Sequence, residues 1–154
     1  LICNGTLALC QHPDQWITLC ADPGGLSRLA TEECLRYDPP VKSTQRIAAV
    51  DVERHGKQIK NGDRIRWIIA SANRDPRVFA DPDRFDLSRS PNPHLSFGSG
   101  IHYCLGATLA RVEGQEVFRA LAERFPKLRL DTDRLEYQPS IQFRSLKSLP
   151  VAWD

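Results

Sequence analysis

The sequence predicts a mainly α fold carrying small antiparallel β-sheets, an α+β arrangement, in a chain of 154 residues. Three observations predict it. Apolar residues recur at helical spacing through the first 37 positions and again over 105–125. Between them, residues 46–66 change to β-branched apolar runs around a turn pair. Prolines at 76, 82, 91 and 93 break residues 75–96 into one long connection.

In order, residues 1–10 read as the last turns of a helix that His12-Pro13 breaks. A short helix over 14–20 follows, ended by Asp22-Pro23-Gly24-Gly25. Ser27 is the expected N-cap of the next helix, where Leu26, Leu29, Ala30 and Cys34 share a face until Pro39-Pro40 stops it beyond Tyr37. The apolar runs over 47–52 and 65–69 read as an antiparallel sheet with Asn61-Gly62 at its turn. Helical character returns near 68–73 and stops at Asp75-Pro76. A structureless connection of about 20 residues inside a compact domain is usually functional. The strongest helix spans 105–125, with Leu109, Val112, Val117, Ala120 and Leu121 on one face, Arg111, Glu123 and Arg124 facing water, and Pro126 at its end. Short apolar pieces at 128–130, 141–143 and 149–153 suit β-hairpins.

Hydrophobic residues at 41% and charged residues at 26% are ordinary for a globular domain and exclude a disordered tail or a fibre. Twenty-one Lys and Arg against 19 Asp and Glu leave a net charge of +2, too small for a dedicated nucleic-acid binder. No apolar run approaches the roughly 18 residues of a membrane helix. The sequence lacks Met and opens Leu1-Ile2-Cys3-Asn4-Gly5, so a processed product or a fragment of a longer chain is expected.

Five cysteines at 3, 10, 20, 34 and 104, with no Cys-x-x-Cys pair, make a poor disulfide framework and a poor zinc or iron–sulfur site. Cys3, Cys10, Cys20 and Cys34 lie in helical segments and are expected to be buried as small hydrophobes, with reduced thiols pointing to a cytoplasmic setting. Cys104 differs. It follows Phe97-Gly98-Ser99-Gly100-Ile101-His102-Tyr103 and precedes Leu105-Gly106, joining the long connection to the strongest helix. Gly98 and Gly100 permit positive φ and a tight turn. A thiol at a helix N-terminus is favoured as an anion, and Gly106 lets something flat approach. Such a thiolate either attacks a substrate or holds a metal. No base is positioned by the sequence for the first role, His102 being only two residues away. A lone thiolate without a second ligand at metal spacing points to a metal whose other ligands come from a macrocycle, as in haem.

The segment FGSGIHYCLGATLAR, 97–111, resembles the haem-binding signature of the cytochrome P-450 family at every defined position: Phe-Gly-x-Gly-x-His/Arg-x-Cys-x-Gly, then Leu-Ala-Arg. Glu33-Cys34-Leu35-Arg36 resembles the Glu-x-x-Arg of the family's K helix, and Arg84 in Asp81-Pro82-Asp83-Arg84-Phe85 its meander arginine. Ala72-Asn73-Arg74-Asp75-Pro76, and Asn4-Gly5 with His12-Pro13-Asp14-Gln15, resemble the soluble bacterial branch. The resemblance implies the C-terminal portion, 1–154, of a single incomplete P-450 domain. Its parts would be the end of the I helix, the J and K helices, a small sheet, a meander over 75–96, a Cys loop over 97–104, an L helix over 105–125 and C-terminal hairpins.

The resemblance also implies roles. Cys104 would be the axial thiolate of haem b (iron protoporphyrin IX). Phe97 would pack on the porphyrin, Gly98, Gly100 and Gly106 would shape the loop, and His102 and Arg46 would meet the propionates. Glu33, Arg36 and Arg84 would form a partly buried network supporting the site. Val41, Thr44 and Phe143 would border a substrate pocket. The implied activity is monooxygenation of a small organic substrate, with electrons from NAD(P)H through a ferredoxin or flavoprotein partner docked where Arg74, Arg77 and Arg111 supply positive charge. The family's oxygen-activating acid–Thr pair would fall before Leu1. The alternative is a non-catalytic truncated remnant lacking that distal half.

Overall fold

A computed structural model describes residues 1–154. The elements run α1 (Ile2–Gln11), α2 (Pro13–Ala21), α3 (Pro23–Tyr37), β1 (Ser43–Ile47), β2 (Val52–Arg54), β3 (Lys57–Ile59), β4 (Arg64–Ile68), α4 (Ile69–Ala72), α5 (Ala107–Arg124), β5 (Arg129–Leu130) and β6 (Val151–Ala152). Helices dominate and the sheets are small and antiparallel, as the periodicity predicts.

The helices pack around Leu9, Leu19, Ala30, Cys34, Phe118 and Ala122, with Phe85 and Leu87 of the long connection closing the cluster. Burial of each larger side chain contributes about 1.5–3 kcal/mol. The α3–α5 contact is close because α5 offers Gly114 there. A Cβ added at Gly114 would lie 2.7 Å from Thr31 Cγ2, inside any tolerable contact. Trp16 fastens α2 beneath them by donating Nε1–H to the Pro126 carbonyl at 3.0 Å.

Several expectations are corrected. Helix α3 starts four residues before Ser27. Asp22 is its N-cap, accepting the Gly25 N–H at 2.9 Å, and Pro23 follows with φ already set for a helix. Ser27 is buried inside the helix, and its carbonyl accepts the Thr31 hydroxyl. The single expected sheet is two: β1 pairs with β4, and β2 with β3. The β2–β3 turn is His55-Gly56, both residues at positive φ, whereas Asn61-Gly62 leads from β3 into β4. The buried face of α5 is Ala107, Gly114, Phe118 and Ala122, while Leu109 and Val112 are exposed. Of the four helical cysteines only Cys34 is fully buried; Cys10 and Cys20 are half-buried and Cys3 is exposed.

Residues 73–99 contain no helix or strand, as expected of the long connection. Side chains supply what a ladder would otherwise supply to the backbone. Fully buried Asn73 donates Nδ2–H to Ser96 Oγ (2.9 Å) and accepts the Leu95 N–H (2.8 Å). Ser96 in turn donates to the Leu35 carbonyl at 2.6 Å. Gln15 Oε1 accepts the Leu87 N–H at 2.9 Å. These bonds tie the connection to α2 and α3 and so fix where the segment after it begins.

Candidate functional site

Cys104 sits on a loop whose course two glycines set. Gly98 has φ +75° and Gly100 φ +65°, a region costly for side-chain-bearing residues. A 3₁₀ turn over Gly100–His102 follows. The loop closes where the Cys104 N–H donates to the Phe97 carbonyl at 2.9 Å and the Tyr103 N–H to the Gly100 carbonyl at 3.0 Å. The Cys104 carbonyl then accepts the Ala107 N–H at 3.2 Å as α5 begins. The helix begins at Ala107 rather than 105, with Gly106 as N-cap.

The loop leaves the thiol exposed. A Cβ added at Gly106 would meet nothing within 4 Å except Cys104 Sγ, at 4.0 Å, so the surface beside the sulfur is bare. Flanking it in the chain are Ile101 at 97% exposure and Leu105 at 103%, and Leu109 and Val112, at helical spacing from Leu105, are exposed on α5. No group of three or more His, Cys, Asp or Glu side chains in the chain has metal-site geometry. One sulfur, a glycine-cleared approach and an open apolar face fit a flat, largely apolar macrocycle that brings its own metal ligands. His102 is exposed on the same loop. Arg46 is exposed on β1, its guanidinium bonded only to neutral partners, the Gln45 carbonyl (2.8 Å) and Thr44 Oγ1 (3.3 Å).

Behind the loop lies a buried ion cluster. Arg36 and Glu33, both fully buried, form two parallel bonds of 2.8 Å. Arg36 also donates to the carbonyls of Asn73 (3.0 Å), Pro82 (2.7 Å) and Arg84 (2.9 Å). Here the expectation for Arg84 is corrected. Its backbone carbonyl joins the cluster, but its side chain is 64% exposed and reaches only Asp86 at 3.5 Å. The second guanidinium belongs to Arg89, which lies 3.3 Å from Glu33 and donates to the carbonyls of Ala80, Asp81 and Arg84. Asn92 Nδ2 and the Asp86 N–H complete the Glu33 shell. Sequence reasoning missed Arg89, five residues after Arg84 in the same irregular segment, because no periodicity there says which arginine turns inward.

The structure brings Val41 and Phe143 together as an isolated antiparallel bridge. Thr44 lies beside it, in an open groove with Ser43, Gln45, Arg66 and residues 139–142. Of the arginines expected to supply positive charge, Arg74 pairs with Asp83, Arg77 with Asp75 and Arg111 with Glu32, and the Arg77 side chain stays 86% exposed.

The family model described as cytochrome P450 matches residues 28–149. The chain belongs to the cytochrome P450 family. It is 46% identical to the biotin biosynthesis cytochrome P450 of Bacillus subtilis, over 100% of this chain and 39% of that protein. It is 44% identical to the 6-deoxyerythronolide B hydroxylase of Saccharopolyspora erythraea, over 100% of this chain and 38% of that one. Among solved structures it is similar to P450BioI in complex with hexadec-9Z-enoic acid ligated acyl carrier protein. The TM-score is 0.94 at 46% identity, over 98% of this chain and 39% of that one. It is also similar to CalO2, with a TM-score of 0.95 at 46% identity, over 99% of this chain and 38% of that one. The chain therefore has the P450 fold over the part it spans, and spans well under half the length of these relatives. P450 proteins bind haem, and relatives carry names of hydroxylases and monooxygenases. No helix of the chain is long and apolar enough to cross a membrane.

Proposed function

We propose that the chain is the haem-holding C-terminal portion of a haem-thiolate monooxygenase. In it α1 is the end of the I helix, α2 the J helix, α3 the K helix and α5 the L helix. The observation that carries this reading is the exposed Cys104 thiol on a loop with two positive-φ glycines, beside the bare surface at Gly106.

Cys104 would hold the iron of haem b as a thiolate. Phe97 would pack on the ring, and His102 and Arg46, neither with an acidic partner, would take the propionates. When bound, haem would supply the iron that activates dioxygen, and the Cys104 thiolate would hold that iron and donate electron density to it. The chain's own residues do the rest. The glycine loop aims the sulfur, and the Phe97 carbonyl holds the Cys104 amide. The Glu33–Arg36–Arg89 cluster keeps the meander and loop in register with α3.

The groove at Thr44, with Val41 and Phe143 beside it, borders the place of a small organic substrate. Activity belongs to the whole protein: one atom of dioxygen enters the substrate, and NAD(P)H supplies electrons through a ferredoxin or flavoprotein. Five free cysteines support a cytoplasmic location.

The test is absorption spectroscopy of the haem-loaded protein, reduced under carbon monoxide. The expected result is a strongly red-shifted Soret band that Cys104→Ala abolishes. A band that survives the substitution overturns the assignment.

A further inference from the structure

One guanidinium grips both ends of the turn that carries Cys104. Arg111 of α5 lies with its Cζ 4.5 Å from the Phe97 ring centroid, a stacking distance. Its Nη1 donates to the Tyr103 hydroxyl at 2.7 Å. Tyr103 immediately precedes Cys104, and Phe97 is the residue whose carbonyl takes the Cys104 amide. Arg111 is itself held by a two-pronged bond to Glu32 of α3, Nε–Oε1 2.7 Å and Nη2–Oε2 3.1 Å.

Glu32 is fixed in turn by His94, whose side chain is only 2% exposed and whose Nε2 stands 3.0 Å from the same Oε2. His94 Nδ1 accepts the Ser96 N–H at 3.3 Å, which places the ring proton on Nε2, pointing at Glu32. This chain of contacts shares no side chain with the Glu33–Arg36–Arg89 cluster. A planar fork that stacks and donates in three directions is a geometry lysine cannot copy.

The geometry points to Arg111, oriented by Glu32, as a positioning residue for the Cys104 thiolate: it clamps Phe97 and Tyr103 so that the sulfur keeps one orientation toward the iron. This rests on the haem-thiolate reading above. Thr31 and Gly114 also pack α3 against α5, so the helix contact does not rest on Arg111 alone. Glu32, held well below the ordinary carboxylate range, remains an anion for Arg111 throughout the neutral region.

The experiment uses the haem-loaded protein, reduced under carbon monoxide, and follows conversion of the red-shifted Soret band to a shorter-wavelength band in denaturant below the unfolding midpoint. Arg111→Met and Glu32→Gln are expected to convert at least about tenfold faster than the parent, since charged hydrogen bonds carry enough energy for that factor. Far-UV circular dichroism gives each variant's own unfolding midpoint, and conversion rates are compared at equal distance below it. Arg111→Lys is expected to remain fast, and Arg119→Met, an exposed arginine two turns further along α5, to match the parent. Parental conversion rates in Arg111→Met and Glu32→Gln would overturn the proposal while leaving the haem-thiolate reading intact. A parent protein with no red-shifted band would overturn that reading itself. If Arg111→Met does not fold, Tyr103→Phe, which deletes one hydroxyl, decides: faster conversion supports the clamp and a parental rate sinks it.

Discussion

Arg36 and Glu33 meet through two 2.8 Å bonds with both side chains essentially out of solvent, and the irregular connection hangs from that pair. A buried ion pair is a weak source of net stability, but removing one partner strands the other. Arg36→Met should therefore destabilise by about 3–5 kcal/mol in urea unfolding.

Arg84 and Arg89 divide by the same logic. Arg84→Ala keeps the carbonyl that Arg36 uses and removes only an exposed side chain, so its effect should stay within about 0.5 kcal/mol. Arg89→Ala removes a guanidinium that contacts Glu33 and holds three carbonyls, and should cost several times more. Equal effects of the two in the same urea series would show that the cluster is assigned to the wrong arginine.

Two glycines in the α3–α5 layer should respond with opposite signs. Gly114→Ala drives a methyl into Thr31 and should cost about 1–3 kcal/mol by overpacking, seen as a lower melting temperature. Gly24, in the first turn of α3, has open space where a Cβ would go. Gly24→Ala should raise stability by about 0.4–1 kcal/mol, chiefly by restricting the unfolded chain.

Acid should release the Glu32 clamp. Burial alone would raise this carboxyl, but the hydrogen bonds from His94 and Arg111, with the Arg111 charge, outweigh it and hold it at about 2, below the ordinary 4.5. A group with a depressed folded value stabilises above its unfolded value and loses that contribution as pH falls through its folded one. Stability should thus fall between about pH 4.5 and 2, and Glu32→Gln should flatten that part of the profile. Unfolding curves collected across this range check it; an unchanged slope in the variant would contradict it.

The apolar face beside the sulfur predicts how the isolated 154-residue chain behaves. Leu105, Leu109 and Val112 recur at helical spacing and are all open, as is Ile101 four residues before Leu105. Without haem the chain should bind a hydrophobic dye and self-associate as its concentration rises. Sedimentation showing a stable monomer that unfolds cooperatively would refute this.

What the sequence disclosed follows from what has a period or a fixed backbone demand. The helices were legible because Leu26, Leu29, Ala30 and Cys34 repeat, and the Cys loop because Gly98 and Gly100 carry a conformation other residues avoid. Helix α3 began earlier than read because Asp22 caps it across two glycines that look like a terminator. The inward face of α5 was misjudged because its closest contact uses a glycine, invisible to a count of apolar side chains. Arg89, Asn73, His94 and Glu32 were illegible for a deeper reason. Their roles arise from partners far away in sequence, placed by tertiary structure alone.

Everything in the proposed function depends on a bond between Cys104 sulfur and haem iron. X-ray absorption at the iron edge of the haem-loaded protein tests it most directly. One sulfur neighbour is expected in the iron's inner shell, absent from Cys104→Ala; a shell of nitrogen and oxygen alone in the parent protein would rule out the Cys104 ligand.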